Sequence, residues 1–359
     1  MKILDWYIIK KFLGTFFYSI TLLIIIVIVF DVSEKIDAFI NNHAPLHEII
    51  FQYYLNFIPY FINLFIYLFT FISVVFFTSR LAGNSEIIAI LSNGVSFRRL
   101  MLPYMLSATF LAIMSFYMGN FLIPHTNITM RKFMDKYIDK PPVNTKRNVH
   151  VQISPRTFAY VESYNAERGI GYRFTLEKFD GVRMVYKLMA NSIQRDTVNN
   201  KWIISNYYIR TIDSAGNQHL THGVIEDTTI ALRPTDLYKV KHSYGEMNLY
   251  ELNKFIRTEK EKGSLVYKRF EIEKYKRIAG PAAIIILTFM GMALSSRKLR
   301  GGMGLHLGIG ITLAFSYILM MQVTTVFSTQ GNLSPAWGAW IPNFFFFIIA
   351  VYLVIKAPK

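Results

Sequence analysis

Residues 12–30 read FLGTFFYSITLLIIIVIVF, nineteen consecutive residues without a charge. A helix rises 1.5 Å per residue, so this run is about 28 Å long, close to the roughly 30 Å of a bilayer's hydrocarbon core. It exceeds the apolar run of about 7 to 15 residues found in a secretory leader, and no small-residue cleavage site follows it. It therefore reads as an uncleaved anchor. Five further stretches share its character: approximately Tyr54 to Phe77, Met101 to Ile123, Ile278 to Leu294, Leu305 to Phe327 and Trp337 to Ile355, none with a charge at its centre. The composition agrees. Of 359 residues, 52% are hydrophobic and 17% charged, against about 25% charged in an ordinary soluble domain. A disordered chain and a purely soluble single domain are both excluded. With no Cys, disulfide frameworks, thiolate nucleophiles, zinc fingers and Fe–S sites are excluded as well.

The flanks of these runs predict the orientation. With the N-terminus inside, the inner flanks carry Lys2, Lys10, Lys11, Arg80, Arg98, Arg99, Arg297, Lys298, Arg300, Lys356 and Lys359, whereas the short outer loops carry Lys35 alone. The positive-inside rule then places both termini in the cytoplasm. Trp6, Trp337 and Trp340 fall near predicted membrane edges, where indoles prefer to sit. Between the third and fourth runs lies the one long polar stretch, residues 125–277, with 27 Lys/Arg and 17 Asp/Glu out of a formal net charge of +16 for the chain. Long domains translocate largely regardless of charge, so this basic excess does not reverse the topology. Its pattern is β. Val149, Val151 and Ile153 alternate with polar neighbours in NVHVQIS, as do Tyr172, Phe174 and Leu176 in GYRFTLEKF. DSAGNQ (213–218) and TVNNKW (197–202) supply turn residues, and a small antiparallel sandwich is expected. NLYELNKFIRTEKEKG (248–263) reads as a polar helix leading back to the fourth span.

No motif for catalysis stands out. There is no Gly-Lys dipeptide, hence no P-loop, and neither an H-E-x-x-H pair nor a G-x-S-x-G elbow. Of eight scattered histidines only His219 and His222 lie close together, and no metal site is read there. The segment RLAGNSEIIAILSNGVSFRRL (80–100) is more informative. Asn84 or Ser85 is placed to cap a short helix that Gly94 ends. On it Ile87, Ile90 and Leu91 form one face, and Glu86, Ala89 and Asn93 another. Such a helix suits either a partner's groove or the membrane surface. Outside the spans, Asp31, Glu34, Lys35 and Asp37 crowd together in FDVSEKIDAF, and Arg131, Lys132 and Lys136 follow the third span. Cations just beyond the hydrocarbon are either lipid-phosphate donors or members of ordinary surface ion pairs. Gly304, Gly308 and Gly310 open the fifth run, where small residues permit close helix approach.

Four strings in this order, SEIIAILSNGVSFRRL (85–100), Ala190 with KWIISN (201–206), GPAAIIILTFMGMALSSRKLRGGMG (280–304) and GNLSPAWGAWIPNFFF (331–346), resemble the LptF/LptG (YjgP/YjgQ) family of lipopolysaccharide export permeases. The resemblance covers nearly the whole chain. It implies an α-helical integral membrane protein of the bacterial inner membrane, with six transmembrane helices and a periplasmic β-jellyroll-like domain inserted between helices 3 and 4. The implied divisions are 1–124 with a cytoplasmic coupling helix at about 85–93, 125–250 for the β domain, 251–277 for a connecting helix, and 278–359. It further implies a non-enzymatic permease subunit of an ABC exporter, without a cofactor of its own. ATP would be bound by a separate LptB-type ATPase dimer, and the other partners would be a second LptF/LptG-type permease, LptC/LptA-type bridge proteins and lipopolysaccharide, but no nucleic acid. Glu86, Ala89 and Asn93 would contact the ATPase, the first and fifth spans would form a lateral gate, and Arg131, Lys132, Lys136 and Lys35 would contact lipid phosphates. Three carboxylates around Lys35 count against a free charge there. A permease for a related lipid and a stand-alone secondary transporter are the alternatives, although the latter usually shows internal repeats and a mid-membrane ionisable group.

Overall fold

The computed structural model describes residues 3–138, 145–165, 168–196, 201–213, 215–232, 237, 244–296 and 302–356. Lys2, Arg297, Lys298, Arg300 and Lys359 of the expected basic set lie outside the described residues, as do Thr197–Asn200 and Ser214 of the expected turns. The chain divides into two compact units, one of residues 1–138, 244–252 and 268–359 and the other of residues 139–243 and 253–267.

The first unit contains six helices long and apolar enough to cross a membrane: α1 (Ile3–Asn41), α2 (Leu46–Gly83), α4 (Phe97–Tyr137), α6 (Tyr267–Ser295), α7 (Gly302–Gln330) and α8 (Pro335–Ile355). The short α3 (Glu86–Ser92) lies between α2 and α4. On α1 burial follows a four-residue step, Ile8, Phe12, Phe16, Ile20 and Ile24, while Tyr18, Ile25, Val29 and Phe30 on its other faces are exposed. A helix whose central run is apolar on every face but buried along only one stripe belongs in lipid or against partner helices. Phe12 and Phe16 join Val74 and Phe77 of α2 and Tyr104 and Leu111 of α4 in one core, where Phe77 stacks on Tyr104 at 5.2 Å. A second core gathers Phe71 and Val75 of α2, Leu287 and Met290 of α6, Tyr317 of α7 and Phe346 of α8.

Two motifs from the sequence find a physical basis here. A Cβ on Gly291 would meet Phe71 at 3.0 Å, so the α6 backbone approaches α2 only because that position is bare. Asn343, 1% exposed, donates to the Ala279 carbonyl of α6 (2.8 Å) and accepts from the Tyr317 hydroxyl of α7 (2.9 Å), fastening three helices through one amide. The glycines of α7 divide. Gly310 meets Val75, whereas a Cβ on Gly304 or Gly308 would meet nothing within 4 Å among the described residues.

Both long composite helices contain a π-helical stretch, Ile49–Tyr54 in α2 and Met118–Leu122 in α4. The second ends two residues before Pro124, which has no N–H to continue an α ladder. Beyond it α4 continues to Tyr137, because Met130, Phe133, Met134 and Tyr137 pack around Phe39 and Tyr53. The sheet therefore begins at Thr145 instead of near residue 125. The return segment is likewise two helices, α5 (Leu249–Lys262) and α6, in place of one connector over 251–277. Asn248 and Glu251 cap α5 reciprocally at 2.9 and 3.0 Å, and Gly263 ends it at φ +76°.

In the second unit six strands, β1 (Thr145–Ser154), β2 (Thr157–Asn165), β3 (Ile170–Asp180), β4 (Arg183–Arg195), β5 (Trp202–Ile212) and β6 (Gln218–Thr228), pair antiparallel in chain order. The expected sandwich is thus one continuous meander among the described residues. One face is buried around Trp202, Phe174, Val161, Leu188 and Ile193. Val149 and Ile153 point inward as expected, but Tyr172 does not. The left-handed backbone at Arg173 (φ 49°) reverses the alternation, so Gly171 shares the buried face with Phe174 and Leu176. A Cβ on Gly171 would lie 2.9 Å from Ile193, which explains the glycine. Asp213 closes the β5–β6 hairpin by accepting from the Asn217 amide at 2.7 Å.

Trp202 is fully buried, and its indole N–H donates to the Leu232 carbonyl at 3.0 Å. Trp202→Ala is expected to destabilise the sheet by about 3–5 kcal/mol. Hydrogen exchange of the full-length protein checks this, as a loss of protection across β4 and β5 that leaves α2 and α6 unchanged.

Candidate functional site

Two clusters of polar groups lie at opposite ends of the helical unit. At the end of α2 the chain turns through Ser85, whose φ of +62° is left-handed, and enters α3 without a side-chain cap. Neither Asn84 nor Ser85 caps the helix as expected. The Asn84 amide instead donates to Glu86 (3.2 Å). Ile87 is 1% exposed, and Ile90 and Leu91 pack against the same α1–α2–α4 core. The apolar face of α3 is therefore occupied by the chain itself, which removes the reading of α3 as a helix lying on the membrane. Ala89 and Asn93 are exposed on the other side, with the Asn93 amide donating to the Ala89 carbonyl (2.7 Å). Glu86 is only part exposed and accepts from the Tyr7 hydroxyl of α1 at 3.1 Å.

Close by in the chain, Arg99 opens α4 with two parallel 2.7 Å bonds to Asp5, which is 1% exposed. Such a bidentate arrangement is the strong form of a carboxylate–guanidinium pair. The N-terminal turns of α1 are thus tied to both α3 and α4. The pair was not legible in sequence. Asp5 and Arg99 lie 94 positions apart, and Arg99 counts there only as one more inner-loop charge.

At the other end the four expected phosphate ligands are not brought together as a free basic patch. Lys35 donates to Asp31 (2.5 Å) and to the Tyr53 hydroxyl, while Tyr54 donates to the second Asp31 oxygen (3.1 Å). The π-helical stretch of α2 presents these consecutive tyrosines to α1, so Lys35 and Asp31 form an interhelical tie. The carboxylate crowding read in the sequence has this consequence. Lys136 donates to both oxygens of Glu48 at 3.3 and 3.2 Å, although its side chain is 57% exposed. Exposed pairs of this kind contribute about 0–1 kcal/mol. Arg131 donates through Nε to Glu246 at 2.6 Å. Lys132 alone of the four is exposed and unpaired among the described residues.

The partners of this outer set were missed in sequence. Glu246 lies 115 positions beyond Arg131, in the tight turn Tyr244–Glu246 that precedes α5. That turn is gripped from below: Arg277 of α6 donates to the carbonyls of Tyr244 (2.6 Å) and Met247 (2.8 Å), and Asn127 of α4 to that of Gly245 (2.8 Å). The Arg277 side chain is 5% exposed and stands 3.6 Å from Glu273. The general signal was present, since an arginine at the edge of an apolar span needs internal acceptors. Their identity was not.

A family model described as lipopolysaccharide export system permease LptF/LptG matches residues 6–356. Curated proteins similar to the chain include the lipopolysaccharide export system permease protein LptG of two Escherichia coli strains, each 20% identical over 294 residues, which is 77% of this chain and 77% of the relative. The family-model match over residues 6–356 runs through both trios of apolar helices and the six-stranded sheet between them, and on it the chain belongs to the LptF/LptG family of lipopolysaccharide export permeases, membrane-spanning transporter components and not enzymes.

Proposed function

We propose that this chain is one permease half of an ABC exporter. It pairs with a second LptF/LptG-type permease and an LptB-type ATPase dimer that binds the ATP, takes lipopolysaccharide from the bacterial inner membrane, and passes it to LptC/LptA-type periplasmic bridge proteins. An even number of spans supports both termini on one side, and the lysines and arginines of the inner flanks support a cytoplasmic side for them and a periplasmic one for the sheet.

The observation that carries this reading is α3. Its Ile87 face is locked into the helical core, so a push on the Ala89–Asn93 face is transmitted to α1, α2 and α4 instead of being lost in a loose loop. Glu86, Ala89 and Asn93 make up the contact with the ATPase. The many exposed Phe, Ile and Leu side chains of the spans suit acyl chains. Lys132 and the open side of Arg131 are the first cations a phosphate meets. Lys136 comes next, after exchange of its weak Glu48 pair, and Lys35 only after breaking its tie to Asp31.

Ala89→Arg adds bulk and charge on an exposed face and is expected to abolish co-purification of the ATPase while the permease still folds. Glu86→Ala is expected to lower ATP-driven lipid release at least tenfold with the assembly intact; normal release would exclude Glu86 from coupling. For the rim, Lys132→Glu combined with Arg131→Gln is expected to reduce the lipopolysaccharide retained on purification, read by native mass spectrometry. Unchanged retention would place the phosphates elsewhere, and a phospholipid in place of lipopolysaccharide would favour a permease for a related lipid.

A further inference from the structure

We propose that Glu246 is a positioning residue that fixes the Arg131 guanidinium for a phosphate-bearing headgroup. This rests on the reading of Arg131 as a phosphate contact and extends it to a residue that never touches the ligand.

The argument starts from how the pair is made. Arg131 uses Nε alone, with one 2.6 Å bond to Glu246 Oε1, and its two Nη groups donate to nothing among the described residues. The Arg99–Asp5 pair, by contrast, spends both carboxylate oxygens and two guanidinium nitrogens on each other. The Arg131 arrangement leaves a two-pronged N–H fork available, the geometry that matches two phosphate oxygens. Burial points the same way. The Glu246 side chain is 12% exposed and that of Arg131 27%, so the carboxylate is the enclosed anchor and the cation the part that reaches out.

Glu246 is itself held. The carbonyls on either side of it, Gly245 and Met247, and that of Tyr244 each accept from a side chain of α4 or α6. Asn127 and Arg131 are one helical turn apart on α4, so a single face grips the turn twice, once at the Gly245 backbone and once at the Glu246 carboxylate. The buried Arg277 cation lies under the same backbone. An arginine on a helix surface otherwise samples many rotamers. Restricting it before the ligand arrives lowers the ordering cost of binding, in the way that outer-shell carboxylates orient metal-bound histidines.

The test separates positioning from simple electrostatics by sign. Full-length protein in nanodiscs is titrated with bisphosphorylated lipid A and with the same lipid A after removal of its phosphates. Glu246→Gln removes a negative charge near the site, so charge alone predicts tighter binding of the phosphorylated lipid. Positioning predicts the reverse: about fivefold to tenfold weaker binding, unchanged affinity for the dephosphorylated lipid, and no further loss when Arg131→Gln is already present. Asn127→Ala touches neither charge and is expected to shift the same ratio the same way, by about twofold. Tighter binding in Glu246→Gln, equal weakening of both lipids, or an unchanged ratio in both variants overturns the proposal. If Arg131→Gln alone fails to change discrimination between the two lipids, the phosphate reading of Arg131 fails and takes this one with it; if it changes discrimination and Glu246→Gln does not, only the role of Glu246 falls.

Discussion

In hydrocarbon an amide has no water to fall back on, and the Asn343 side chain bears the consequence. The hydrophobic effect drives apolar helices into the bilayer but does little to join them once there. The joining is done by bare glycine positions and by a few polar side chains that must find each other. Asn343 binds α6 and α7 at once. Asp31 collects Lys35 and two tyrosines across α1 and α2, and Asp5 with Arg99 closes the opposite end. These contacts fix which stripe of each helix faces inward, and so they also decide which apolar residues remain exposed.

The same requirement explains the fate of the basic residues. A cation at the edge of a span is costly unless paired, and within this chain Lys35, Lys136 and Arg131 each have a carboxylate. These three cations are therefore neutralised within the chain, and on the function proposed above a polyanion would have to exchange with, or share, pairs that already exist. The pairs are graded in burial, from the enclosed Lys35–Asp31 tie to the open Lys136–Glu48 contact. On that proposal the grading would set the order in which they yield.

The fold was legible in the sequence wherever one local signal sufficed. All six spans, the β character of the insert, the α5 helix and the position of α3 follow from run length, alternation and turn residues, although α3 itself lacks the expected side-chain cap. Where two signals competed, the reading failed. The helix past Pro124 was hidden by its polar residues, since its apolar packing, with Phe133 and Tyr137 against Phe39 and Tyr53, involves residues distant in sequence. The inward assignment of Tyr172 assumed an uninterrupted two-residue period, and the left-handed Arg173 breaks it. The crowding around Lys35 was legible, since Asp31 lies four positions away, but Arg99, Lys136 and Arg131 were legible only as individual charges, because their partners lie 88 to 115 positions away. Nothing local in a sequence records such distances.

One dimension of α1 has a mechanical meaning. Its 39 residues make a rod of about 58 Å, nearly twice the hydrocarbon thickness. Tyr7 and Asp5 near one end touch α3 and α4, while Asp31 and Lys35, farther along the same rod, touch the tyrosines of α2. A rod of this length pivoting by only about 5° displaces its far end by roughly 5 Å, the width of a single acyl chain. On the function proposed above, small angular adjustments where α3 packs against α1 would thus be geared up to the scale of a lipid at the opposite end, without any helix having to bend.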